Sequence, residues 1–120
     1  RRCDVAGVLD DTPVDAVFGQ WQATGVREWK IPLLRRILEG APFSGKVSTP
    51  WSPEGLHDFM HAKVVVADET AFVGSFNFSR SGERNAENVL EIRDRPIADR
   101  LAVYVDEIRG RYPPATPPGS

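Results

Sequence analysis

The segment from His61 to Gly74 constrains the fold of this chain more than any other. Its first half, His61 to Ala67, contains three consecutive valines, which favour a β-strand. Asp68-Glu69-Thr70 has the composition of a turn, and an apolar run resumes from Ala71 to Gly74. The segment therefore predicts two antiparallel strands joined by a tight connection.

Two polar residues stand at the start of this hairpin. His61 and Lys63 are two positions apart, so in a strand their side chains leave the same face. A lysine neutralises phosphate oxygens as a point charge, and an imidazole can attack phosphorus or transfer a proton. The pair therefore indicates chemistry on an anionic, phosphate-bearing substrate.

More polar residues follow the predicted hairpin. Ser75 and Asn77 are expected on one face, where Asn77 can donate hydrogen bonds to a phosphoryl oxygen. Gly74 has no Cβ, which allows the backbone to approach a substrate or another strand closely. The carboxylate of Glu87 can accept a hydrogen bond from one ring nitrogen of His61 and so fix its tautomer.

The order and spacing of these residues resemble the HKD signature of the phospholipase D superfamily, H-x-K-x4-D followed by G-S-x-N and N-x-E-N. The similarity covers residues 59–92. A weaker one covers residues 1–10, which read like the family strand R-G-x-x-V-x-x-x-x-D with Arg2 where glycine is more usual. The resemblance implies an α/β fold with a mixed β-sheet flanked by helices, a phospholipase D-like half-domain truncated at its N-terminus.

The same resemblance implies a two-step, metal-independent displacement through a covalent phosphohistidine, with no cofactor. It carries over the catalytic residues His61, Lys63, Asn77 and Glu87 and the supporting residues Asp68 and Ser75. His61 would be the nucleophile or the general acid, and Glu87 would orient it. Lys63 and Asn77 would bind the phosphoryl group.

The family's site uses two copies of the motif, and this chain has one. The other histidine, His57, has no lysine two residues on. We therefore expect a partner, a second HKD half supplied by the N-terminal part of the same parent chain or by a homodimer partner. Accordingly, residues 1–112 are expected to form one domain that is incomplete at its N-terminus, and residues 113–120 a disordered, Pro-rich tail.

Composition limits the substrate without choosing it. The chain has 15 Lys and Arg against 17 Asp and Glu, a net charge of -2, and a pI of about 5.7, which excludes a globally basic nucleic-acid binder. Phospholipid and nucleic acid both remain open as phosphodiester substrates. Arg80 and Arg84 either contact that substrate or are solvated loop charges, and Trp51 either lines a groove or seals its own domain.

The remaining segments predict scaffold. We expect an opening strand from Cys3 to Leu9, with Cys3 buried. A helix follows, with Thr12 as its N-cap and Pro13 as its first residue, and ends at Gly25. The later elements are a helix from Ile31 to Gly40, a strand from Asn88 to Ile92 and a helix from Pro96 to Arg109. His57 lies four residues before His61, a metal-ligand spacing on a helix; because this segment is strand-like, we expect no metal there. No run of about 18 apolar residues occurs, so a cytoplasmic or membrane-peripheral location is expected.

Three functional hypotheses follow. The first is a phosphodiesterase that hydrolyses or transfers a phosphodiester through phosphohistidine chemistry. The second is a catalytically silent phosphate-binding module of the same fold. The third is a half-domain whose role is to complete a partner's site and which is inactive as an isolated fragment.

Overall fold

The computed structural model describes residues 3–77 and 86–118, and the chain divides into two compact units. The first unit comprises residues 1–60 and 108–120, and the second comprises residues 61–107. The elements are β1 (Gly7–Asp10), α1 (Asp11–Thr24), a 3₁₀ helix (Glu28–Lys30), α2 (Ile31–Gly40), β2 (Phe43–Lys46), β3 (Val64–Ala67), β4 (Thr70–Gly74), β5 (Val89–Arg93) and α3 (Arg95–Arg109).

In the first unit, β1 and β2 form a parallel pair in which Gly7 lies opposite Phe43. Parallel neighbours need a long crossover connection, and α1 and α2 provide it. Phe18 of α1 and Leu38 of α2 are buried and form the centre of this unit. The opening strand starts later than predicted because β2 offers only four residues for pairing, and Cys3, predicted to be buried, is exposed.

The N-cap of α1 is Asp10, not the predicted Thr12. Asp10 has extended backbone angles, and its carboxylate accepts a hydrogen bond of 3.1 Å from the Thr12 N–H. The Thr12 hydroxyl is used elsewhere, since it accepts from the Ser48 N–H at 3.0 Å. Both residue types cap helices well, but α1 begins at Asp11, so Thr12 lies inside its first turn and Asp10 occupies the capping position.

The predicted helix ends at Gly25 and Gly40 are confirmed. Gly25 has a φ of 68° and donates its N–H to the carbonyl of Trp21, as a left-handed C-cap does. Gly40 is the last residue of α2, and Pro32 lies in its first turn, where a missing N–H costs nothing.

The second unit contains an antiparallel sheet in the order β3-β4-β5. The predicted hairpin is confirmed: Val64 pairs with Val73, Ala67 pairs with Thr70, and two residues connect the strands. Asp68, the first of them, has a φ of 53°, a left-handed conformation that aspartate tolerates better than most residues.

The third strand and the last helix complete this unit. They begin within one residue of the predicted positions, β5 at Val89 and α3 at Arg95. The Asp94 carboxylate accepts from the Ile97 N–H at 2.9 Å and caps α3. Ala71 and Ala98 are fully buried. The α/β class is confirmed, with the parallel and antiparallel pairs of the described residues in two separate sheets.

The predicted disordered tail pairs with β2 over part of its length. The Gly45 N–H donates to the Pro113 carbonyl at 2.9 Å, and the Ala115 N–H donates to the Phe43 carbonyl at 2.8 Å. Ala115 is buried, and the Arg35 guanidinium donates to the Pro118 carbonyl at 3.2 Å. The expectation of a mobile tail therefore does not hold for residues 113–118, because their backbone finds partners on the edge of β2.

Candidate active site

The candidate site is built on the junction between the end of β4 and the start of β5. Gly74 pairs with Val89 there, and a Cβ on Gly74 would lie 2.8 Å from the Val89 Cα and closer still to the Asn88 carbonyl oxygen. Only glycine fits this approach without a backbone shift. The predicted need for a missing Cβ is confirmed, and the neighbour is another strand.

The strands leave this junction through an irregular pairing. The N–H groups of Ser75 and Phe76 both donate to the Asn88 carbonyl, at 3.0 Å and 3.2 Å. Two residues opposite one is the hydrogen-bond pattern of a β-bulge, which interrupts the alternation of side chains. The expectation that Ser75 and Asn77 share a face therefore no longer follows from their spacing.

The Ser75 side chain connects the two strands at the bulge. Its hydroxyl donates to Glu87 Oε2 and accepts from the Asn88 N–H at 3.1 Å. A hydroxyl that bonds in both directions has little freedom to rotate, so it holds the Glu87 carboxylate against the start of β5. The predicted supporting residue Ser75 thus contacts the predicted catalytic residue Glu87.

His61 and Lys63 precede β3 and do not lie within it. The predicted strand began at His61, whereas the observed one begins at Val64, so alternation in a strand does not set the directions of the two side chains. The Lys63 ammonium donates to the backbone carbonyl of His61 at 2.6 Å. This charge-assisted bond occupies a carbonyl that a longer ladder would use, and it holds the ammonium beside the histidine backbone. His61 is exposed and Lys63 is half-buried.

Asp68 lies at the other end of the hairpin. It follows the last residue of β3, so it lies five residues along the chain from Lys63, about 16 Å at the usual rise of a strand. Its left-handed conformation initiates the turn into β4. Asp68 therefore belongs to the hairpin turn and does not lie at the junction where Ser75 contacts Glu87.

Of the other predicted site residues, the structure describes Asn77 and Trp51. Asn77 is exposed and is the last described residue before the gap in the described ranges. Arg80 and Arg84 lie outside the described residues. Trp51 belongs to a loop of the first unit, and its side chain is largely exposed.

The first unit holds a buried cation, Lys46, for which the sequence pattern contains no signal. Lys46 of β2 is buried, its ammonium lies 2.9 Å from Asp58 Oδ2, and it also stands 5.6 Å from the ring of Tyr112. A carboxylate and an aromatic face stabilise a desolvated ammonium. Nothing in the spacing of these three residues along the chain predicts the contact.

Asp10 is a second residue of the first unit whose role emerges only in the fold. Its carboxylate accepts from the Ser48 hydroxyl and, at 3.4 Å, from the Met60 N–H, besides capping α1. Asp11, next in the chain, has a pKa raised above its usual value of 3.8, first by burial and then by the negative charges of Asp15 and Asp10. The resemblance of residues 1–10 to a family strand ending in aspartate was the one signal for Asp10.

The described residues contain neither a metal-binding group of side chains nor a membrane-spanning helix. No three His, Cys, Asp or Glu side chains in residues 3–77 and 86–118 are grouped so that they could hold a metal ion. His57 Nδ1 is 2.8 Å from the Thr49 carbonyl oxygen, which can only accept, so this nitrogen carries the proton. The helices in the described ranges are all too short or too polar to cross a bilayer.

Comparison with known protein families gives a match over most of the chain. The family model described as cardiolipin synthase, PLD-like domain matches residues 5–109, which is most of the chain. No curated protein and no solved structure matches the chain.

Proposed function

The chain belongs to the phospholipase D superfamily, and from that premise we propose that it supplies one half of the active site of a phosphodiesterase. The proposed reaction is hydrolysis or transfer of a phosphodiester through a covalent phosphohistidine. His61, Lys63, Asn77 and Glu87 are the proposed catalytic residues. The other half of the site would come from a second copy of the motif.

The contact between Ser75 and Glu87 is the observation that most supports this proposal. A carboxylate that fixes a histidine tautomer must itself be held, and Glu87 is held by a hydroxyl that the backbone of Asn88 orients. The close approach of Gly74 to Asn88 makes this junction rigid. A carboxylate held by a hydrogen bond just before a strand is suited to positioning an imidazole for repeated proton transfer.

The proposed chemistry has two steps. In the first, a ring nitrogen of one histidine attacks phosphorus, the bond from phosphorus to the leaving oxygen breaks, and the second histidine gives that oxygen a proton. In the second, water or an alcohol attacks the phosphohistidine and returns its proton to the second histidine, and the P–N bond breaks. His61 fills either role, because a symmetric pair of motifs gives both histidines equivalent surroundings.

Lys63 and Asn77 are proposed to bind the phosphoryl oxygens. The Lys63 ammonium lies on the backbone of His61, so it is already near the imidazole that would carry the phosphoryl group. A bound phosphate would compete with the His61 carbonyl for this ammonium, and a charged acceptor would win that exchange.

Phospholipid and nucleic acid are the two candidate substrates, and phospholipid is the one we favour. The description of the matching family names cardiolipin synthase, and cardiolipin is a phospholipid. The net charge of -2 also argues against tight binding of a long nucleic acid. Release of product from phosphatidylcholine vesicles, compared with cleavage of single-stranded DNA at low salt, separates the two.

Hydrolysis of an aryl phosphodiester by the full-length protein tests the mechanism, with a chelator present throughout. His61→Ala is expected to lower kcat/KM by at least about 10³-fold, because both proposed roles of His61, attack on phosphorus and protonation of the leaving oxygen, need its imidazole. His57→Ala is the matched control, since it removes the chain's other histidine from a loop of the first unit. Its activity is expected to stay at the wild-type level.

The outcomes discriminate between the hypotheses. Activity that survives His61→Ala, or that the chelator abolishes, overturns the proposed mechanism. A folded full-length protein that binds a phosphodiester saturably and forms no product points to the silent phosphate-binding module instead. Activity that appears only when a second HKD half is added supports the half-site arrangement.

A further inference from the structure

An apolar stripe lies exposed along α2 and the 3₁₀ helix before it. It consists of Trp29, Leu33 and Ile37, spaced four residues apart, and we call it the α2 outer stripe. These side chains are 66%, 50% and 50% exposed. Residues four apart are neighbours on a helix surface, so the stripe is continuous.

The stripe is not the face by which α2 packs in the first unit. Leu38 is buried and Ile31 and Leu34 are half-buried, and these three lie on a neighbouring side of the helix, centred roughly 110° around the axis from Leu33 and Ile37. One face of α2 packs within the first unit, and the other exposes apolar side chains to solvent. A fixed helix needs no folding step to use that outer face.

Two cations lie beside the stripe. Lys30 follows Trp29 in the 3₁₀ helix, and within α2, at about 100° per residue, Arg36 lies about 60° from Leu33 on the side away from Ile37. Lys30 stands 5.4 Å from the ring of Trp29, and Arg36 is exposed. Glu28 and Glu39 lie on the far side of the helix, so the stripe has a positive border on a chain of net charge -2.

We propose that the α2 outer stripe docks on an anionic lipid surface. A tryptophan at one end, aliphatic side chains in the middle and long cations at the borders match the layers of a membrane interface, where apolar groups enter and charged groups stay at the headgroups. The charge complementarity selects anionic lipid over a neutral surface. The proposal uses no proposed catalytic residue, so it can fail or hold independently of the proposed function.

Vesicle flotation with the full-length protein tests this proposal. The probes are phosphatidylcholine vesicles with and without about 30 mol% phosphatidylglycerol, at about 0.1 M salt. Binding is expected to be at least about tenfold tighter to the anionic vesicles. Leu33→Ser/Ile37→Ser is expected to weaken that binding about tenfold or more, because it removes most of the inserted apolar area.

Two further variants make the test specific. Arg36→Gln is expected to weaken binding to anionic vesicles about fivefold and to leave binding to neutral vesicles unchanged. Because Arg36 is exposed, Arg36→Gln should leave the fold intact. It therefore tests the proposal even if Leu33→Ser/Ile37→Ser fails to fold. Val103→Ser/Tyr104→Ser removes exposed apolar side chains from α3 instead and is expected to bind like the wild type.

Three results would overturn the proposal. One is equal affinity of the wild type and Leu33→Ser/Ile37→Ser for anionic vesicles. Another is equal affinity of Arg36→Gln and the wild type for them. The third is an oligomer in the absence of lipid that Leu33→Ser/Ile37→Ser dissociates, which would assign the stripe to a second copy of the chain.

Discussion

The Ser75 hydroxyl donates a hydrogen bond to the Glu87 carboxylate, from the end of β4 to the residue two positions before β5. The same hydroxyl accepts the N–H of Asn88. The proposed orienting carboxylate is therefore tied to the backbone of the neighbouring strand. We therefore propose that Ser75 is a positioning residue that acts through Glu87, and this role can be tested separately from the chemistry of His61.

Ser75→Ala is expected to lower kcat/KM of the full-length protein about 10- to 100-fold, the usual cost of removing an outer partner of a reacting group. Ser75→Thr keeps a hydroxyl and is expected to retain most of the activity. The decisive measurement is a double-mutant cycle: Ser75→Ala added to Glu87→Gln should cost little more than Glu87→Gln alone.

Ser48→Ala is the matched control for Ser75→Ala, because the Ser48 hydroxyl also donates to a carboxylate, that of Asp10, but in the first unit. It is expected to leave kcat/KM unchanged. Fully additive losses from Ser75→Ala and Glu87→Gln would show that Ser75 does not act through Glu87.

Gly74→Ala is expected to destabilise the protein by about 2 kcal/mol or more. The new Cβ would overlap the Asn88 carbonyl and lie 2.8 Å from the Val89 Cα, and backbone atoms cannot move aside as a flexible side chain can. Gly19→Ala in α1 is the control, since a Cβ there meets no atom within 4 Å and the helix should gain up to about 1 kcal/mol. Denaturant unfolding measures both, and equal stability of Gly74→Ala and the wild type would refute the close approach.

Asp11→Asn is expected to stabilise the protein at neutral pH by a few tenths of a kcal/mol, as for a largely solvated charge. The pKa of Asp11 is raised in the folded state by burial and by Asp15 and Asp10, so folding favours its neutral form. Wild-type stability therefore falls as the pH rises from 3.8 through the raised pKa, and the loss persists above it.

The advantage of Asp11→Asn should accordingly shrink as the pH approaches 3.8 from above. Thermal unfolding of the two proteins across this range measures the difference. Asp15→Asn should lessen the effect, because it removes one of the charges that raise the Asp11 pKa. A constant difference at all pH values would contradict the role assigned to Asp11.

Asp58→Asn is expected to destabilise the protein by about 1–3 kcal/mol, because it leaves the buried Lys46 ammonium without its charge partner. Lys46→Met, which removes the cation itself, is expected to cost less. Glu91→Gln breaks the exposed pair with Arg93 and should change stability by less than about 0.5 kcal/mol. Chemical denaturation measures the free energy of unfolding of all three variants. An Asp58→Asn protein as stable as Glu91→Gln would mean that the pair of Lys46 and Asp58 contributes nothing measurable to stability.

Local patterns were sufficient for much of the fold. The hairpin around Asp68 and the ends of α1 and α2 at Gly25 and Gly40 follow from turn chemistry, left-handed backbone conformations and hydrophobic period, which act within a few residues. The order of His61, Lys63, Ser75 and Glu87 also led to the superfamily that the family match confirms. Their catalytic roles remain predictions.

Other features could not be predicted because each depends on a partner distant in sequence. Asp10 caps α1 and, like Thr12, bonds to the distant Ser48, and the opening strand is short since β2 is short. The tail likewise depends on a distant partner, because its backbone pairs with β2. No local pattern specifies which distant backbone will be available to a given side chain.

The sequence by itself determined the α/β class, the hairpin, the helix ends and the set of residues proposed for catalysis, because period, turn residues and motif spacing are properties of short segments. Only the tertiary structure decided that β3 begins at Val64, that two residues oppose Asn88 at the bulge, and that Ser75 holds Glu87. It also decided the burial of Lys46 beside Asp58. Each of these is set by competition between hydrogen-bond partners, and that competition exists only after folding has brought distant segments together.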